Sequence, residues 1–398
     1  MIRNSYFRTL LAGAALASLA SPALALDGAD LVAKLNATYA TSGVSIGYSN
    51  ASVDGSTVKL EGTELTVTGG KAPAKIGDVT LEGVEEDGSG GYTIETVSFP
   101  DINVTEDGST VTASDLSIGG VTVPATAATG TLDSLLMYET ASSGPITVSN
   151  KGKEVFSLSG MEATVTRQEG DAGLDFEATF SDLKADLTQA EDPKAKDTIQ
   201  KLGMQTLEGE ITMSGSWELA SGTFGIEEFA FDFKDVGRLN IGLELSGYTL
   251  DFIKGMQEAM KASEANPNKE EANAALGMSM MGLVQQLTFN SASVTFEDAS
   301  LTKKLLDFAG AEQGVTGDQM AQSLKGLVPI MIAQLNMPDL QNQISAAVNT
   351  YLDDPKSITI SAEPENPVPF PMIMGAAMGA PNTIPQVLGV TITANDEM

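Results

Sequence analysis

The pentapeptide DGSTV occurs twice, at Asp54–Val58 and at Asp107–Val111, and its reading decides what kind of chain this is. Alternating apolar residues flank both copies. Val44, Ile46 and Tyr48 precede the first and Val58 and Leu60 follow it; Ile102 and Val104 precede the second and Val111 follows it. An Asp-Gly pair between two runs of period two signals a hairpin, because glycine accepts the positive φ that tight turns require. Calcium ligation is the rival reading. It needs several oxygen ligands at fixed spacing, in an EF-hand loop or tandem short repeats, and neither surrounds Asp54 or Asp107. The pentapeptide is therefore turn chemistry, used twice.

The same texture continues outward. VKLEGTELTV (58–67) and FSLSGMEATV (156–165) share Leu, Gly, Glu, Thr and Val at matching positions, each reading as strand, glycine break, strand. Further strands are expected at Phe176–Leu187, Leu207–Leu219, Phe224–Phe233 and Leu239–Leu245. Alternation slips at Glu227-Glu228, where a bulge is expected. Near Thr188 the charged stretch TQAEDPKAKDTIQKLG reads as a short helix or linker and marks a soft boundary.

Beyond Gly247 helices enter. Phe252, Ile253, Met256 and Met260 share a helical face; a polar connector at 262–273 precedes a second helix at Ala274–Leu287, and a strand opens at Thr288. A helix carrying Leu301, Leu305 and Phe308 is expected to stop at Gly310. Thr316-Gly317-Asp318-Gln319 is a capping box for a helix with Met320, Leu324 and Leu327 and a kink at Pro329; Leu340, Ile344, Val348 and Tyr351 mark another. Strands at Ser357–Ala362 and Val387–Thr393 bracket a proline- and methionine-rich loop. The fold class is α+β, predominantly β: an extended antiparallel sheet, or a sandwich of short hairpins, with a helical cluster in the C-terminal half.

The N-terminus carries Arg3 and Arg8, an apolar run from Leu10 to Ala20, and Ser21-Pro22-Ala23-Leu24-Ala25 with small residues at the cleavage positions. This is the pattern of a secretory signal peptide. Residues 1–25 are read as that signal, 26–190 as a β-rich repeat-containing domain, and 191–398 as an α+β domain. The expected location is the periplasm of a Gram-negative bacterium, with no transmembrane helix left after cleavage.

Composition removes whole classes of chemistry. The chain has no histidine and no cysteine, so the usual zinc, copper and haem ligands, Ser-His-Asp and Cys-His catalysis, and disulfides are all excluded. Twenty-two Lys and Arg against 53 Asp and Glu give a formal charge of −31. That field repels nucleic acid and anionic membranes. S-x-x-K occurs at Ser56–Lys59, Ser181–Lys184 and Ser300–Lys303, without the companion elements of penicillin-recognising enzymes. Carboxylate pairs such as Glu85-Glu86 and Glu227-Glu228 would point to opposite faces of a regular strand, which makes a carboxylate-based hydrolase the third choice. No catalytic, cofactor or metal residue is assigned.

Methionine is uneven: 12 of 17 lie from Met256 onward. Such side chains adapt to irregular apolar partners. Prolines and glycines interrupt PVPFPMIMGAAMGAP (367–381), so it is expected to cover an apolar opening rather than form a regular element. The expected apolar lining is Phe370, Met372, Ile373, Met374 and Met378, with Met280 and Met281 nearby.

The succession FGIEEFAFDFKDVGRLNIGLELSG, SVTFEDASLTKKLLDFAGAEQGVT and YLDDPKSITISAEPENPVPF resembles short AsmA-like periplasmic proteins and their uncharacterised relatives, over roughly 204–370. The resemblance implies a long twisted sheet with an apolar interior and a role in moving or sensing envelope lipids. The chain departs from that family in its shortness and in the loss of an N-terminal anchor, which argues against bridging two membranes. The reading is a non-enzymatic periplasmic protein that binds lipid or another apolar partner; the alternative is an envelope structural or protein-interaction module without lipid cargo.

Overall fold

The computed structural model describes residues 26–396, apart from 41–42, 68–71, 128–131, 133–137, 191 and 334–336. The expected signal peptide, 1–25, lies outside the described residues. A helix, α1 (Gly28–Tyr39), precedes a long meander. Its first strands are β1 (Val44–Gly47), β2 (Asn50–Asp54), β3 (Thr57–Val67), β4 (Ala74–Glu82), β5 (Glu85–Glu86) and β6 (Tyr92–Ser98). Then come β7 (Ile102–Glu106), β8 (Ser109–Ala113), β9 (Ser117–Val123), β10 (Thr140–Ser143), β11 (Ile146–Asn150), β12 (Lys153–Leu158) and β13 (Gly160–Arg167).

Both DGSTV copies are hairpin turns, in different registers. Asp54 pairs with Thr57 across Gly55-Ser56, whereas Glu106 pairs with Ser109 across Asp107-Gly108. In the first turn Gly55 alone has positive φ, 60°; in the second Asp107 (50°) and Gly108 (82°) both do. These are the sign patterns of type II′ and type I′ turns, the two that match the twist of paired strands. One pentapeptide serves both because its glycine can stand first or second. The repeated Leu-x-Gly segments also diverge. Gly62 (φ 58°) makes an irregularity inside the unbroken β3, while its counterpart stands at a true break, Ser159, between β12 and β13.

β14 (Gly173–Asp186) passes through a short helix, α2 (Pro193–Leu202), to β15 (Thr206–Glu218), and β16 (Thr223–Phe233) and β17 (Gly237–Ser246) follow. α2 is the expected helix near the domain boundary. The two strands it joins are themselves paired, from Gly173↔Glu218 to Asp186↔Thr206. One sheet therefore runs through the boundary between 190 and 191.

Two helices, α3 (Leu250–Ala265) and α4 (Lys269–Val284), lead from β17 to β18 (Thr288–Asp298). The expected connector shrinks to three residues because the Asn268 side chain accepts from the backbone of Glu270 and Glu271 and starts α4 early. Next come α5 (Leu301–Gln313), α6 (Gly317–Ala333) and α7 (Pro338–Asp353). α5 continues past the expected stop, since Gly310 is buried against the Thr316 backbone and the left-handed cap is Gly314, φ 73°. The capping box at Thr316 forms as read: Gln319 N–H donates to Thr316 Oγ1 at 3.2 Å, and Thr316 N–H to Gln319 Oε1 at 3.0 Å.

The chain ends with β19 (Ser357–Ala362), β20 (Val368–Pro369), α8 (Phe370–Gly379), α9 (Ile384–Val387) and β21 (Val390–Ala394). The expected proline-rich loop is thus a helix. Pro371 falls in its first turn, where a missing N–H breaks no bond, and Gly375 is tolerated within it. The last strand starts three residues later than expected, after a turn at Gly389 with φ 62°.

All pairings are antiparallel and belong to one open sheet, so the sandwich alternative is not realised. The Gln343 side chain on α7 accepts from the Ile392 N–H of the edge strand β21, capping a group that would otherwise invite another strand.

Candidate functional site

α1 is pinned to the sheet at both ends. Tyr92, 1% exposed, donates its hydroxyl to Asp30 at 2.7 Å, and Asp30 also pairs with Lys34 one turn on. Lys34 and then Tyr92 hold the Asp30 carboxyl below its usual range; burial, then Asp30 itself, pushes the Tyr92 phenol well above its own. Farther along, the Asn36 amide donates to Ile46 O at 2.9 Å and ties α1 to β1. Leu31, Val32 and Leu35 pack below onto Val58, Leu60, Leu81, Ile94 and Val123.

That packing leaves a hollow. A cavity of about 220 Å³ lies between the end of α1 (Leu35, Tyr39) and the inner faces of β1, β3, β4, β6 and β9. Ile46, Leu65, Ile76, Val97, Phe99 and Ile118 are among its walls, and among the described residues no Asp, Glu, Lys or Arg lines it. Thr63 and the phenols of Tyr39 and Tyr138 are its polar groups. Burial, and then the nearby Tyr138, raise the Tyr39 phenol, which keeps it neutral.

Cross-strand pairing extends this apolar surface far beyond the cavity. Directly paired residues of an antiparallel ladder share a face. From the cavity wall one row runs Ile118–Ala141–Ala163–Ala178–Met213–Phe229 over β9, β10, β13, β14, β15 and β16. Farther along the same face lie Phe180–Ile211–Phe231–Leu239–Phe296–Ile358 and Ile241–Val294–Ile360–Ile392. Bulges preserve this sidedness. The extra residue Glu227, where the slip was expected, lets Ile226 and Phe229 point the same way, and Ser181-Asp182 does so for Phe180 and Leu183.

The opposite face is polar. Arg238 and Glu228 pair there at 2.8 Å, and Thr295–Thr359 and Ser361–Thr391 bond across strands. Thr212, then Arg238, lowers the Glu228 carboxyl below its ordinary range.

The apolar face is covered only in part. Phe252 and Ile253 of α3 pack with Leu174, Trp217 and Phe224 at one end of the strands, where the Trp217 indole donates to Tyr248 O at 2.7 Å. Val294 and Ile360 stand on strands flanked by partners on both sides, yet are 41% and 48% exposed. Exposure of that size in mid-sheet means that none of the described elements covers them.

The expected lining residues lie elsewhere. Met280 and Met281 are on α4 and Phe370, Met372, Ile373, Met374 and Met378 on α8, none of them in the cavity wall. The structure brings the two segments to the same end of the sheet, where Phe370 N–H donates to Leu287 O at 3.0 Å. Met281, Met372 and Met378 are 60%, 60% and 85% exposed; Met280, Phe370, Ile373 and Met374 are half-buried. The cavity was missed because α1 was missed. Asp27, which accepts from the backbone of Ala29 and Asp30, and the spacing Leu31, Val32, Leu35, Tyr39 were the available signal.

The three S-x-x-K lysines each face a carboxylate: Lys59 meets Asp78 at 3.0 Å, Lys184 meets Glu208 at 3.5 Å and Lys303 meets Asp307 at 2.7 Å. Ser300 gives its hydroxyl to Asp235 O. Among the described residues no helix is long and apolar enough to cross a membrane.

A family model described only as "Uncharacterized protein" matches residues 230–395, less than half of the chain. No curated protein matches it.

Proposed function

We propose that the protein is a non-enzymatic carrier of lipid acyl chains in the cell envelope, exported to the periplasm by residues 1–25. One observation carries this reading: a cavity whose described lining is uncharged lies on the same apolar sheet face as Val294 and Ile360, which stand exposed in mid-sheet. Sites for apolar ligands are concave, mostly apolar and largely preformed. An acyl chain fits the cavity between α1 and the sheet, and the row of Ala141, Ala163 and Ala178 supplies a shallow floor along which a longer chain extends. The Tyr39 and Tyr138 hydroxyls offer uncharged hydrogen bonds to an ester or hydroxyl. No cation stands among the described residues of the wall, and within so acidic a protein that disfavours an anionic headgroup.

Organic extraction of the gently purified protein, followed by mass analysis, tests this. The proposal expects close to stoichiometric lipid; a protein free of lipid that also fails to take up acyl chains when offered them overturns it. The competing reading, an envelope interaction module without cargo, draws on β7. This edge strand is exposed throughout, with Ile102 and Val104 at 41% and 56%, and it offers unpaired backbone groups to a partner strand.

A further inference from the structure

Most of α4 and the whole of α8 are free of charge, although Lys269, Glu270 and Glu271 open α4. No charged residue occurs from 272 to 296 or from 366 to 395, in a chain whose formal charge is −31. Large apolar side chains nevertheless project there: Met278 is 71% exposed, Met281 60%, Met372 60% and Met378 85%. α8 has no polar face at all, its sequence being FPMIMGAAMG. The apolar sheet row Phe224–Leu245–Phe289–Val368 runs directly to its base.

We infer that the α4–α8 end docks this protein on the surface of a zwitterionic lipid bilayer, with the methionines entering the boundary between headgroups and acyl chains. Interfacial binding scales with the apolar area inserted plus attraction or repulsion by lipid charge. The chain as a whole is acidic and repelled by anionic lipid, whereas the exposed methionines of α4 and α8 stand in stretches that carry no charge. A protein partner would need oriented polar groups at the rim to set its register, and the uncharged, flexible methionine surface offers none. A fluid apolar boundary demands no register. The inference is independent of lipid carriage, since docking persists even if the cavity holds nothing.

Flotation of the purified full chain with phosphatidylcholine vesicles tests it, each variant carrying the same N-terminus as the parent so that residues 1–25 cancel. The parent floats, binds less as phosphatidylglycerol is added at low salt, and recovers in high salt. Replacing Met278, Met281, Met372 and Met378 together by Asp lowers binding by about a hundredfold or more, with the circular dichroism unchanged. Should that variant fail to fold, Met378→Asp alone lowers binding several-fold. Replacing Ile102 and Val104 by Asp on the edge strand β7, many strands away in the sheet, leaves it unaltered. Docking is overturned if the parent stays unbound, if anionic lipid strengthens binding, if the β7 changes abolish it, or if the folded quadruple variant still floats. A parent dimer that the four substitutions dissolve, with no vesicle binding, assigns the end to a second copy instead.

Discussion

Filling the cavity under α1 separates its role as a binding site from its role in packing. Val97 stands in its wall, opposite the end of the helix, and Val97→Phe places a ring where empty space lies. The cavity of about 220 Å³ is open on one side, so a ring placed in it gains by taking apolar area out of water, at about 25 cal/mol per Å². One added ring fills part of that volume, so the expected gain in unfolding free energy is about 1–2 kcal/mol. The same ring occupies the space of an acyl chain, so affinity for a neutral fluorescent acyl ester falls by about tenfold or more. Urea unfolding and a fluorescence titration on the same preparation read both effects. A variant destabilised by more than about 1 kcal/mol that still binds the ester normally refutes the reasoning, because it would show a packed wall and a binding site elsewhere.

The remaining expectations concern the struts of the fold. Tyr92→Phe removes a part-buried hydrogen bond whose acceptor, Asp30, is half-exposed and still paired with Lys34, so it costs about 0.5–1.5 kcal/mol, measured by equilibrium unfolding. Gly55→Ala and Gly108→Ala each cost about 1 kcal/mol. A Cβ at Gly55 meets nothing within 4 Å, and at Gly108 its nearest neighbour is Lys151 at 3.8 Å, so the loss is backbone strain alone and unfolding curves of the two variants should nearly coincide. Acid destabilises the protein. The carboxyls of Asp30, Asp78, Asp87 and Glu228 are all lowered by hydrogen bonds or cations. Groups with depressed folded-state pKa stabilise above their unfolded values and lose that contribution as pH falls through the folded ones. Unfolding midpoints should therefore hold from neutral pH to about 5 and drop below about 4.

The β half was largely legible because its signals are local. Asp-Gly between alternating runs marks a turn whatever surrounds it, and Leu239, Ile241, Leu243 and Leu245 announce a strand with one apolar face. Even the slip at Glu227-Glu228 could be placed, since a parity error in alternation must be absorbed by a bulge. Local signals do not say which register a turn adopts; the two DGSTV copies differ by one residue in that respect. Nor do they say whether the sheet folds back on itself. Residues 367–381 form a helix over Phe370–Gly379 rather than an interrupted loop, because a proline in a first turn starts a helix instead of breaking one. Nothing in the methionine pattern pointed to the cavity, whose walls are Val, Ile and Leu that any core strand carries. Its signal was the Asp27 cap and the spacing of Leu31, Val32, Leu35 and Tyr39, a stretch to which no element was assigned.

The central claim is that one face of the sheet, from the cavity at Val97 and Ile118 to Val294 and Ile360, carries acyl chains. Photolabelling with a lipid bearing a diazirine on its acyl chain, with adducts mapped by peptide mass analysis, addresses it most directly. Adducts on the strands of this face and on the wall of the cavity are the predicted result. Adducts confined to the polar face around Arg238 and Thr295, or none above the level of a scrambled, unfolded control, would contradict it.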